Sequence, residues 1–214
     1  MTQSAFSDDT PTDGPRVYRN LSTNMIVILV GGLLATLLIL ALRPEKRLGQ
    51  GVSHPAVGQA MGDFQLVPLA GDTAPVTLKN LGGQVVLLNF WGTWCPPCMM
   101  EFPHLVEMND RLKSDERFRF VPIAVGPGGA EVPAEQLQAA TEAYLAKLKT
   151  ELDVYRDPGG GARQSVVKSA QLPGFAFPTT ILLDRDGTIA ALWQGYAPGC
   201  ETEMEAAIKA LLKS

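Results

Sequence analysis

Histidine and cysteine are scarce in this chain, with two histidines and three cysteines in 214 residues. A structural zinc site needs four ligands, usually two cysteine pairs, and beyond Cys95 and Cys98 only Cys200 and the scattered His54 and His104 remain. No metal is expected, and no other cofactor. Three cysteines are also too few for a disulfide scaffold, and the odd count leaves Cys200 over. Excess basic charge is missing as well. The formal net charge of -4 provides no positive field for phosphate, and there is no Lys/Arg stripe interleaved with aromatics, so nucleic acid is excluded as an expected partner. No internal repeat is visible. A hydrophobic content of 46% suits one folded domain with an appendage.

Uncharged runs of spanning length are absent except for one, MIVILVGGLLATLLILAL, at residues 25–42. As a helix it would rise about 27 Å, close to the roughly 30 Å hydrocarbon core of a bilayer. It is expected to be a transmembrane signal anchor. A buried core helix and a signal peptide cleaved after Ala41 are its rivals, but the run exceeds the usual ~7–15 residue signal core and no A-x-A site follows. Arg16 and Arg19 precede it whereas Arg43, Lys46 and Arg47 follow, a slight bias toward a cytoplasmic C-terminus. Residues 1–24, rich in Ser, Thr, Asp, Pro and Gly, are expected to be a disordered tail. Residues 43–55 have linker composition, with His54 solvated within them. The folded domain is then 56–214.

Within that domain short strands and helices alternate. DFQLVPL and PVTL, separated by a turn, predict an N-terminal hairpin; VVLLNFW is a continuous apolar run, as in a strand buried on both faces. A helix follows from Cys95 to about Lys113, with Leu105, Met108 and Leu112 on its apolar face. Pro103 lacks the amide that would bond the Met99 carbonyl, so this helix should kink there. Residues 118–125 are the next strand. A helix over 134–149 carries the stripe Leu137, Tyr144, Leu145 and Leu148. LDVYRDP predicts a brief strand and residues 162–170 a short helix. TTILLD and TIAALWQ form a hairpin, and residues 201–213 a terminal helix. The class is α/β, a mixed sheet covered on both faces.

The chemistry is concentrated in NFWGTWCPPCMMEFPHL, residues 89–105. A static disulfide between Cys95 and Cys98 would close a very short loop and so constrain the unfolded chain little. A redox pair has a mechanism: a strand delivers Cys95 to a helix N-terminus, where the positive end of the macrodipole and free amides stabilise a thiolate that attacks a partner's disulfide. With Cys95 at the N-cap, Pro96 and Pro97 occupy the first helical positions and lack amides, so the Cys98 N–H is the best donor to the Cys95 sulfur. Cys95 should be acidified, though less than where the intervening residues donate amides. Trp91 reads as a core aromatic and Trp94 as a shield over the disulfide. Glu101, three residues after Cys98 on the same helix face, is either the proton carrier for Cys98 or a solvated glutamate. His104 reads as a helix-surface residue. AFPTT, residues 176–180, fits either a cis Phe177–Pro178 bond exposing a strand edge or an ordinary trans proline at a strand start. With an open edge, an extended substrate would pair with the backbone of Phe177 or Thr179.

From about Val57 onward, through VGQAMGDFQL, VTLKNLGGQVVLLNFWGTWCPPC, EFP and FPTTILLDRDGTI, the chain resembles the thioredoxin superfamily. The likeness is greatest to its membrane-anchored, extracytoplasmic TlpA/ResA-type reductases. The resemblance implies a thioredoxin fold with an added N-terminal hairpin and a central helical insert. It also implies that Cys95 is the nucleophile, Cys98 the resolving cysteine, Pro178 a cis proline facing them, and Glu101 the active-site acid. Asn89 stands where thioredoxins often carry a buried aspartate, and it cannot titrate. Phe177 is bulky for the position before the cis proline, and Cys200 lies outside the pattern. The family implies disulfide-bearing protein partners, apocytochromes c or copper-delivery proteins among them, a membrane thiol electron donor, and a domain on the periplasmic side, against the charge bias. A thioredoxin-fold peroxidase would need a nearby Thr and Arg, and WCPPC offers no such Arg. A redox-inert binding module is disfavoured by the intact cysteine pair.

Overall fold

The computed structural model describes the backbone of residues 18–41 and 50–214, and on the first helix the side chains of residues 25–36. Residues 1–17 of the expected tail, the last residue of the expected anchor, 42, and residues 43–49 of the expected linker lie outside these. The chain divides into two units, Met1–Lys46 and Arg47–Ser214. In the first, helix α1 runs Tyr18–Ala41. It therefore starts before the run of residues 25–42: the mostly polar residues 18–24, expected in the tail, are part of the same helix. Among the described residues no helix is long and apolar enough to cross a membrane. The described side chains of α1 are exposed, and the Thr36 hydroxyl donates to the Gly32 carbonyl at 2.7 Å.

The second unit holds strands β1 (Gln65–Ala70), β2 (Val76–Thr77), β3 (Val85–Trp91), β4 (Phe118–Ala124), β5 (Val154–Arg156), β6 (Thr179–Leu183) and β7 (Ile189–Gln194). Its helices are α2 (Pro96–Leu112), α3 (Ala134–Leu148), α4 (Gly161–Ser169) and α5 (Cys200–Lys213). The strands form one sheet in the order β2-β1-β5-β4-β3-β6-β7. β3, β4 and β5 run parallel, while β6, β7 and the β1–β2 hairpin are antiparallel additions. This is the expected mixed sheet, and the expected elements fall within a few residues of their places. The Ala134–Leu148 helix is the central insert between β4 and β5.

Alternation along the inner strands divides the core into two layers. On β3, Val85, Leu87 and Trp91 join Phe102, Leu105, Tyr144 and Ile208 on one face, while Val86, Leu88 and Phe90 join Val166 and Ile181 on the other. All seven β3 residues are buried, as a central strand with both faces covered requires. Leu105 and Met108, both fully buried on α2, each contribute about 1.5–3 kcal/mol of apolar transfer free energy.

The linker expectation is corrected at its C-terminal end. Gly51 and Leu192 exchange backbone hydrogen bonds of 2.8 and 3.1 Å, and the Gln50 side chain bonds the Gln194 backbone in both directions. Further on, Gly58 N–H donates to the Ile189 carbonyl and Ile189 N–H to the Gln59 carbonyl. This segment covers the β7 edge, which would otherwise present unpaired backbone groups. His54 is buried rather than solvated: its Nδ1 accepts from the Ala56 N–H at 3.0 Å, and burial lowers its pKa. Linker composition does not reveal such a role, because the strand-like pairing at Gly51, Gly58 and Gln59 uses backbone groups.

Candidate active site

β3 ends at Trp91, and the Gly92–Trp94 turn sets Cys95 at the N-cap of α2 with extended backbone. The Cys98 N–H points at the Cys95 sulfur at 3.3 Å, as the two prolines without amides require. Cys95 and Cys98 form a disulfide with their Cα atoms 5.2 Å apart. Both are buried. The Pro103 amide is missing from the helix ladder, and the Met99 carbonyl it leaves free accepts instead from the Tyr144 hydroxyl of α3 at 3.1 Å. The insert helix thus supplies a hydrogen bond that the active-site helix lacks.

Trp94 is half-buried beside the pair. Its indole Nε1 donates to the Val125 carbonyl at 2.9 Å, and its ring meets Phe177 edge-on with centroids 5.3 Å apart. Phe177 continues to Phe175 at 5.2 Å, and Phe175 to Phe90 at 5.1 Å. Trp91 is fully buried and stacks on Phe102 at 3.8 Å, the core role expected of it. His104 is exposed with its ring nearly parallel to Tyr196.

The Phe177–Pro178 bond is cis. The strand edge expected at Thr179 is not open. Thr179 lies in register between Phe90 and Gln194 inside the sheet, its hydroxyl donates to the Ala176 carbonyl at 2.7 Å, and Gly195 N–H donates to the Pro178 carbonyl at 2.7 Å. β6 has a neighbour on each side, which local sequence could not reveal. Phe177 is half-buried against Trp94.

Glu101 is buried within the second turn of α2. Its carboxyl reaches β3, where Asn89 Nδ2 donates to Oε2 at 2.9 Å and to the Thr180 hydroxyl at 2.8 Å. Asn89 and Thr180 are register partners on neighbouring strands, on the same face as Leu87 and Leu182. Burial pushes the Glu101 pKa up to about 7, partly offset by the Asn89 hydrogen bond and the nearby Thr180 hydroxyl and reinforced by the charge of Glu201. A carboxyl with that affinity can both accept and return a proton near neutrality. Thr180 was not singled out by sequence reasoning, and Asn89 only as a residue that cannot titrate. The available signal was a pair of polar residues facing the apolar side of two buried strands. Cys200 is a free, half-buried thiol, and burial pushes its pKa up to about 11.

A buried disulfide at the corner between an inner strand and a helix N-terminus, a buried carboxyl one turn on in that helix, and a cis proline before β6 define a thioredoxin-like redox domain. The chain belongs to the Redoxin family, whose model matches residues 56–211. It is 30% identical over 148 residues to the thioredoxin-like protein YneN of Bacillus subtilis, a match covering 69% of this chain and 77% of that one. It is 27% identical to the thiol-disulfide oxidoreductase ResA of Bacillus thuringiensis, over 62% of this chain and 66% of that one. A crystal structure described as a thiol:disulfide interchange protein DsbE from Chlorobium tepidum aligns with TM-score 0.56 and 29% identity, covering 73% of this chain and 97% of that one.

Proposed function

We propose that this chain is a membrane-anchored thiol-disulfide oxidoreductase that reduces disulfides of particular extracytoplasmic proteins. The observation that carries the reading is the Cys95–Cys98 disulfide at the N-terminus of α2, with the buried Glu101 carboxyl one turn on in the same helix. In the reduced protein the Cys95 thiolate, favoured by the helix end and the Cys98 N–H, attacks a partner disulfide. One partner sulfur leaves as a thiol, and the other stays joined to Cys95. Cys98 then gives its proton to Glu101 and attacks the Cys95 sulfur. The Cys95–Cys98 bond forms, the second partner sulfur leaves and takes up a proton, and two electrons have passed to the partner.

The row Trp94, Phe177 and Phe175 beside the pair supports contact with a protein segment of apolar character. The anchor rests on the uncharged apolar run of the sequence at residues 25–42. With the domain on the periplasmic side, a membrane thiol donor would reduce the pair again, and apocytochromes c in cytochrome maturation are partners of fitting chemistry. The test is capture. Cys98→Ala should leave Cys95 joined to its partner in membranes, because no internal thiol breaks the mixed disulfide, while Cys95→Ala should trap far less. Equal capture by both would remove the assigned roles. A reporter fused after Ser214 should work only in its extracytoplasmic form; activity confined to the cytoplasm would overturn the orientation.

A further inference from the structure

On the α2 face of the sheet, Asn89 and Thr180 interrupt positions otherwise filled by Leu87, Trp91 and Leu182. Buried polar side chains in a core of this kind cost free energy unless they are paired, so their placement calls for a role. Both hydrogens of Asn89 Nδ2 are used, one on Glu101 Oε2 and one on the Thr180 hydroxyl. Among the described residues Glu101 Oε1 has no hydrogen-bond partner although it is buried. The two carboxyl oxygens are therefore unequal: one is held by the sheet and the other is free.

We propose that Asn89, oriented by Thr180, is a positioning residue for the exchange reaction, holding Glu101 through Oε2 and leaving Oε1 as the atom that takes the proton from Cys98. This rests on the oxidoreductase reading above. The sheet contributes no charge at this point, only the Asn89 amide and the Thr180 hydroxyl, and both stabilise the ionised carboxyl. Cys98 lies three residues before Glu101 on the same helix, and the other titratable groups coupled to Glu101 are Glu201 and Cys200 at the start of α5 and Tyr196 before it. Glu201 opposes ionisation, so the sheet donors are what favour it. When Cys98 loses its proton, Oε1 receives it, the carboxyl becomes neutral, and Oε2 can keep its bond to Asn89. The acid changes protonation state without releasing its anchor. An aspartate at position 89 would have no such permanent donor and would add a second charge.

The test follows the full-length reduced protein carrying Cys200→Ser, so that only Cys95 and Cys98 react, with dithiobis-nitrobenzoate, a disulfide that then releases a coloured thiolate twice. The first release reports attack by Cys95, and the second reports attack by Cys98 on the mixed disulfide. In this parent protein the second phase should accelerate with pH around a midpoint near 7, where Glu101 ionises. Asn89→Leu should move that midpoint up by about one pH unit, the size of one lost hydrogen bond to a charged group, and slow the second phase roughly fivefold at neutral pH. Thr180→Val, nearly isosteric, should move it the same way by less and carries the test if Asn89→Leu does not fold. The first phase should be unchanged in both. The parent midpoint in the folded variants overturns the proposal. Glu101→Gln separates the two levels: if it abolishes the profile while Asn89→Leu and Thr180→Val retain it, positioning alone fails. If Glu101→Gln itself keeps the profile, the proton-carrier reading fails as well.

Discussion

Asn89 donates to Glu101 across 2.9 Å, joining the middle of an inner strand to the second turn of the helix that carries both cysteines. The bond compensates only part of the carboxyl's burial. Glu101 keeps its proton up to about 7, against 4.5 for an ordinary glutamate. Between those values the folded protein binds more protons than the unfolded chain, so stability falls as pH rises through this window.

The first prediction follows from that sign. The oxidised protein should lose about 3 kcal/mol of stability between about pH 4.5 and pH 7 on account of this one group. Glu101→Gln should remove the loss and unfold at higher urea concentration than the wild type above neutrality. Urea titrations at acidic and mildly alkaline pH check it, and equal pH slopes in the two proteins would contradict it.

Tyr144→Phe should cost about 1–3 kcal/mol, because the Met99 carbonyl freed by Pro103 loses its hydroxyl donor. The ring would keep its packing against Trp91 and Phe102, with centroids 5.6 and 6.1 Å away. A lowered denaturation midpoint with an unchanged slope is the expected result. An unchanged midpoint would mean the hydroxyl contributes nothing to holding α3 on α2.

Gly92→Ala should disturb the site without touching a cysteine. A Cβ at this position would collide with the Trp94 indole and would lie 2.8 Å from the Val125 carbonyl oxygen, the acceptor that holds the indole. Overpacking of this kind costs typically about 1–3 kcal/mol. Displacing Trp94 should also make the disulfide react faster with a small thiol reductant. An unaltered reduction rate would show that Trp94 is not its shield.

Cys200 should alkylate slowly at neutral pH in the folded protein and rapidly once unfolded, since burial pushes its thiol pKa up to about 11. Mass spectrometry without reductant should find a single alkylated cysteine, Cys200, after unfolding. A crosslinked dimer that disappears in Cys200→Ser would refute the free thiol.

Much of this fold could be read locally. The buried run Val85–Trp91 is a strand with all seven residues inside, and the cysteine at its exit caps a helix because two prolines follow it. Periodicity and capping act over a few residues, so a linear pattern carries them. Glu101 was ambiguous from spacing alone, because its environment is supplied by β3 and β6, more than ten and more than seventy residues away in sequence. The edge expected at Thr179 failed for a related reason: the order of strands places β6 between two others. Linker composition hid His54 and Gly51 because the backbone groups that seat this segment are common to almost every residue.

The sequence by itself determined the alternation of strands and helices, the redox pair at a helix start and the single long apolar run. Each follows from propensity, spacing or chemistry over a short stretch. Only the tertiary structure decided that Glu101 is buried, that Asn89, itself bonded to Thr180, holds one of its oxygens, and that Tyr144 supplies the donor for the carbonyl freed by Pro103. Burial and hydrogen-bond partners depend on which distant segments meet. A carboxyl's proton affinity is set by those neighbours as much as by its own chemistry.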